Sequence, residues 1–133
     1  MTEIDHLPPG LRETAERAVN ACLAELVGMS AVVIATVDGF DLAAAAHGQH
    51  DGARIAAMAS SISAISAMVA REAGLGNVKS VTISTDNGFA IVHGVPRPDV
   101  ELVIHLIADG DAILAQAMHR IGVMARVLAG VGS

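Results

Sequence analysis

The sequence predicts an α/β/α sandwich (α+β class): a five-stranded antiparallel sheet between helices, in the order α-β-β-α-β-β-β-α. Three observations lead there. Two pairs of β-leaning runs meet at Asp38-Gly39 and at Asp86-Asn87-Gly88, and tight turns of this kind join antiparallel neighbours. The runs AVVIATV and LVIHLIA are apolar at nearly every position. A strand wet on one side alternates instead, so both faces of the inner sheet must be covered. Three longer stretches repeat apolar residues at three- and four-residue spacing, which supplies the covering helices.

Residues 1–8 read as a flexible polar leader and 9–130 as one domain. Pro9 suits the first turn of a helix, where its missing N–H costs nothing. Leu11, Ala15, Ala18, Cys22 and Leu26 then recur at helical spacing, with Arg12, Glu13, Glu16, Arg17, Asn20 and Glu25 on the wet side and Gly28 as the stop. SAVVIATV and FDLAAAA form the first hairpin. A polar link leads to the second helix, which Asp51 is placed to cap and Gly74 to end through a left-handed turn. VKSVTIST, FAIVHGV and ELVIHLIA are the remaining strands. In VKSVTIST, Ser80, Thr82 and Ser84 alternate with Val81 and Ile83, the pattern of a strand with one polar side at a sheet edge. The last helix runs from about Asp111 to Ala129, with Asp109 or Asp111 as its cap and Gly130 as its stop.

The second helix sets the organisation of the chain. Between Arg54 and Arg71 it carries no charged residue. Ile55, Met58, Ile62, Ile65 and Val69 form one stripe, expected to lie on the sheet; Ala56, Ser60, Ser63, Ala67 and Ala70 form the opposite one. A surface helix normally carries charges on its second face, so this one is read as covered on both sides. An exposed Ala/Ser face is the alternative, since small side chains leave little apolar area wet. The run is read as too short and too serine-rich for a membrane span.

Composition narrows the functions. The 133 residues are 53% hydrophobic but only 2% aromatic, with no Trp or Tyr, so the core is aliphatic. A formal charge of −6 and the lack of a basic cluster or stacking aromatics argue against nucleic acid as partner. Cys22 is the single cysteine; on an apolar helical stripe it reads as a buried, inert thiol. The N-terminus has no basic, apolar signal pattern, so the expected setting is the cytoplasm.

Residue patterns that carry chemistry are few. His93 and His105 fall on neighbouring strands and His47 and His50 share a loop, but no third ligand completes either pair. No nucleophile elbow or phosphate loop is present. Gly74-Leu75-Gly76 follows a helix and lacks a third glycine, which makes it a cap and not a dinucleotide site. The aspartates cluster at turns and caps. No catalytic residue, cofactor site or metal site is assigned, and an enzyme is not expected.

From about Leu11 to Leu128 the chain resembles the roadblock / dynein light chain family. The resemblance lies in LAELVGMSAVVIATVDGFDLA, the long Ala/Ser helix, the AGLGNVKSVTIST junction, and DNGFAIVHGV before ELVIHLIAD. It implies a roadblock/profilin-like fold that dimerises through its second helix and third strand. It also implies a non-enzymatic adaptor or regulator of a small Ras-like GTPase, as prokaryotic members commonly are. On this reading the homodimer interface is Ala56, Ser60, Ser63, Ala67, Ala70, Val81 and Ile83, and Arg54, Arg71, Lys79 and Arg97 are the cations available to an acidic partner. A small-molecule-sensing module is the alternative function; it requires a pocket dotted with polar groups such as Thr36, His93 and His105.

Overall fold

The computed structural model describes residues 7–132. Along the chain lie α1 (Leu11–Glu25), β1 (Met29–Thr36), β2 (Asp41–Ala46), α2 (Gly52–Glu72), β3 (Ser80–Thr85), β4 (Gly88–Val95), β5 (Leu102–Asp109) and α3 (Leu114–Gly130). The strands form one sheet in the order β2-β1-β5-β4-β3, antiparallel throughout. The sandwich and the strand count agree with the sequence. The leader's first six residues lie outside the described ones, while Leu7 is partly buried against the core.

The inner strands are buried because helices cover both sides. α1 and α3 share a face, where Leu11, Val19, Val32, Ile34, Ile91, Ile104 and Leu128 build the larger core. α2 lies on the opposite face over Val33, Val92 and Val103. β3 pairs only with β4 and is almost wholly exposed, which makes it the edge strand that the alternating residues predict. The β3–β4 turn depends on Gly88: its φ is +149°, and a Cβ there would run into the Ala108 carbonyl.

The expected caps of α2 are present. Asp51 Oδ1 accepts from the N–H groups of Ala53 and Arg54 at 3.1 and 3.3 Å. At the other end Gly74 has φ +68°, Leu75 N–H donates to Ala70 O, and Gly74 N–H to Arg71 O. These two bonds satisfy carbonyls that the helix end leaves unpaired. The other helices begin differently from expectation. Gly10, in a left-handed conformation, is the residue before α1, so Pro9 lies in the preceding turn. α3 starts at Leu114 without a side-chain cap, because Asp109 Oδ1 accepts from Asp111 N–H and closes a turn ahead of it.

The orientation of α2 is the main correction. Its buried residues are Ile55, Ala56, Ala59 and Ala70, whereas Met58, Ile65, Met68 and Val69 are exposed, Ile65 at 62% and Met68 at 60%. Ala56 and Ala70 of the small stripe therefore face the protein's own sheet, with Ser60 and Ser63 half-buried and Ala67 exposed, while Met58, Ile65 and Val69 of the large stripe face outward. The physical reason lies in the strands: Val92 and Val103 rise beneath the first half of the helix, and Ala59 packs against them. Small side chains let the helix backbone come close to bulky β-branched ones. Ala56 and Ala70 are thus buried within the fold. α2 is also longer than the charge-free run. By length and composition alone its 21 residues suffice to cross a membrane, so shortness is no argument against a span. Its inner face is occupied by the sheet.

Candidate interaction surface

The outer side of α2 and the open edge of the sheet adjoin one another. In the β3–β4 register Val81 stands opposite Val92 and Ile83 opposite Ala90. Side chains of paired residues share a face, and Val92 packs against Ala59 of α2, so Val81 and Ile83 lie on the α2 face. Val81 is partly buried and Ile83 exposed. Ser80, Thr82 and Ser84 pair with His93, Ile91 and Phe89 and therefore lie on the face of α1 and α3. Exposed apolar side chains thus lie on the outside of α2 (Met58, Ile65, Met68 and Val69) and, on the same face of the sheet, at Ile83 of β3, a strand whose outer backbone groups have no sheet partner among the described residues.

A fully buried large aliphatic side chain stabilises by about 1.5–3 kcal/mol relative to an exposed one. The outer side chains of α2 thus leave a substantial stabilisation unrealised in an isolated protomer. Of the small residues expected at an interface, Ser60 is engaged internally: its Oγ donates to Val37 O at 2.8 Å. Ser63 and Ala67 line a cavity of about 910 Å³ under the C-terminal half of α2. The position of Ala59 and the outward turn of Met68 escape both stripes read from the sequence. A signal for them exists in the valine-rich strands, which need small partners.

The four proposed contact cations separate into two kinds. Arg54 and Arg71, near the two ends of α2, and Lys79, before β3, are exposed. Arg97 is not: its side chain is 3% exposed. Its Nε and Nη2 hold both oxygens of Asp99 at 2.9 and 2.8 Å, and Nη1 donates to Leu128 O at 2.6 Å. The hydrogen bonds to Asp99 hold its carboxyl down to about 2. Arg97 is a bracket that ties the loop before β5 to the end of α3, where a cation also complements the helix dipole. It is unavailable to a partner.

The histidines do not come together. Val92, and not His93, is opposite His105, and this one-residue offset puts the two rings on opposite faces of the sheet. His105 is 4% exposed and its Nδ1 donates to Ile55 O at 3.2 Å, which ties β5 to the first turns of α2. His93 Nδ1 donates to Lys79 O at 3.1 Å. Burial lowers the pKa of both rings. Among the described residues no three His, Cys, Asp or Glu side chains are grouped to hold a metal. Burial raises the pKa of the Cys22 thiol, in line with an inert core cysteine. The 910 Å³ cavity includes His93 in its wall but neither Thr36 nor His105. Thr36 is buried, with its Oγ1 accepting from Phe40 N–H.

The Roadblock/LC7 domain matches residues 19–95. Among solved structures, the gliding protein MglB of Thermus thermophilus superposes with a TM-score of 0.81 at 16% identity, over 94% of this chain and 93% of that one. A Roadblock/LC7 domain from Streptomyces avermitilis gives 0.75 at 14% identity, over 85% and 92%. MglB of Myxococcus xanthus gives 0.71 at 15%, over 90% and 84%. At these identities the likeness establishes the fold. No curated protein matches the sequence.

Proposed function

The chain belongs to the Roadblock/LC7 family, and from that premise we propose that it is a homodimeric, non-enzymatic adaptor or regulator of a small Ras-like GTPase in the cytoplasm. The observation that carries the proposal is the pairing of exposed apolar side chains on α2 with an unpaired edge strand on the same sheet. A second copy related by a two-fold axis meets both needs at once. Its β3 extends the sheet across the edge, and its α2 covers the outward side chains of the first. The proposed interface comprises Met58, Ile65, Met68 and Val69 with Val81 and Ile83, and replaces the small stripe on α2.

The GTPase follows from what the family resemblance implies. Arg54, Arg71 and Lys79 are the exposed cations left to meet an acidic partner, and no residue is assigned a catalytic role. The experiment is affinity capture of GTPases in the GDP- and GTP-bound states, followed by GTP turnover with and without this protein. Capture of a GTPase that prefers one nucleotide state supports the reading. Absence of binding in either state refutes it.

A further inference from the structure

The cavity under α2 has an origin that can be read residue by residue. Its helical wall is Ser60, Ser63, Ala64 and Ala67, and its floor on the same face is Val81, Val92 and Val103. None of these side chains is long enough to cross the gap. The cavity continues round the end of β4 past Gly94 and reaches Gly122, Ala125 and Ala129 of α3, again all small. The space opens to solvent along Ala64, Ala67, Val78 and Lys79, and its volume of about 910 Å³ falls within the roughly 300–1,000 Å³ range of ligand sites.

Charge at the cavity is distinctive in an acidic chain. Lys79 and Arg126 both line it, with Glu101 as the one carboxylate. Among the described residues the ion pairs are Arg97 with Asp99 and Arg120 with Glu25, so neither cavity cation is neutralised. A Cβ at Gly122 would stand 3.7 Å from Nη1 of Arg126, so the guanidinium lies over that turn of α3 at the cavity wall. The Ser63 hydroxyl supplies a further polar point on an otherwise aliphatic helix wall.

We infer that this cavity binds a small amphiphile, with an aliphatic body on the valine floor and one anionic headgroup at Lys79 and Arg126. The site shares Val81 with the proposed dimer contacts and Lys79 with the cations left for a partner, but the rest of its valine floor and the α3 side of its wall lie away from the outer side chains of α2, and it stands whether or not a GTPase binds. Gly94 makes it testable. A Cβ there would meet nothing nearer than Lys79 O at 4.0 Å, and Gly94 lines the cavity, so a side chain can start from this position and take up cavity space.

Decanoate is the probe, titrated below its micelle concentration by calorimetry and by methyl NMR, with decyltrimethylammonium as the cationic control. The expected result is saturable binding, one per protomer, with shifts centred on Val81, Val92 and Val103. Gly94→Leu should weaken it at least tenfold while the protein still melts cooperatively. Ala67→Leu fills the same space from the helix and gives the same readout if Gly94→Leu fails to fold. Lys79→Gln with Arg126→Gln should weaken decanoate and leave decanol unchanged. Absence of saturable binding, shifts spread over the surface, equal binding of the cationic control, or full binding by both filled variants overturns the inference.

Discussion

Replacing Ala59 by leucine probes the reversed orientation of α2 directly. Ala59 is 1% exposed and packs against Val92 and Val103, themselves nearly sealed. The added isopropyl group must push the helix off the sheet or force the valines from their rotamers, at about 1–3 kcal/mol. For a domain of this size that corresponds to a melting-temperature loss of roughly 3–15 °C. Met68→Ala shortens an outward side chain on the same helix and should cost the isolated protomer no more than about 0.5 kcal/mol. The assay is urea unfolding followed by circular dichroism, repeated over a hundredfold range of protein concentration to separate protomer stability from association. If Ala59→Leu is neutral at every concentration and Met68→Ala is costly at every concentration, then the large stripe faces the sheet and the orientation is wrong.

Acid should loosen the attachment of α2. His105 is buried with its pKa lowered by desolvation, so the unfolded chain binds its proton more readily than the folded one. Stability is therefore full above the ordinary histidine value of 6.5 and is lost as the pH falls below it toward the folded value. His105→Gln should flatten this loss between pH 7.5 and 5.5 in urea midpoints, with His93 contributing the remainder. Arg97→Ala removes the bracket on the Leu128 carbonyl and should lower stability by about 1–3 kcal/mol, seen as faster amide exchange at the end of α3. Gly88→Val places a side chain against Ala108 at a φ that favours glycine; the expected outcome is loss of cooperative unfolding in a thermal melt.

Most of the architecture is legible in the sequence because local chemistry dictates it. Asp38-Gly39 and the turn before Gly88 specify hairpins, the unbroken apolar runs specify two covered faces, and Asp51 and Gly74 mark the ends of α2. Facing is harder to read. Helical periodicity separates two stripes, but with no charge on either it does not say which meets the sheet; that depends on Val92 and Val103, on strands well downstream of the helix. The same limit applies to the histidines, whose shared region is legible but whose opposite faces depend on the β4–β5 register. Arg97 escapes for a related reason. Its role rests on Leu128, which is distant in sequence and joins it only when α3 packs back onto the sheet.

The most direct measurement of the central claim is the mass of the protein in solution by light scattering, for the wild type and for Ile65→Glu combined with Met68→Glu. A wild-type particle of twice the 13.5 kDa protomer is expected at micromolar concentration. The double variant should be a folded monomer, since its charges fall on the outer face of α2 and leave the inner face intact. A monomeric wild type, or a variant that stays dimeric, would contradict the proposed interface.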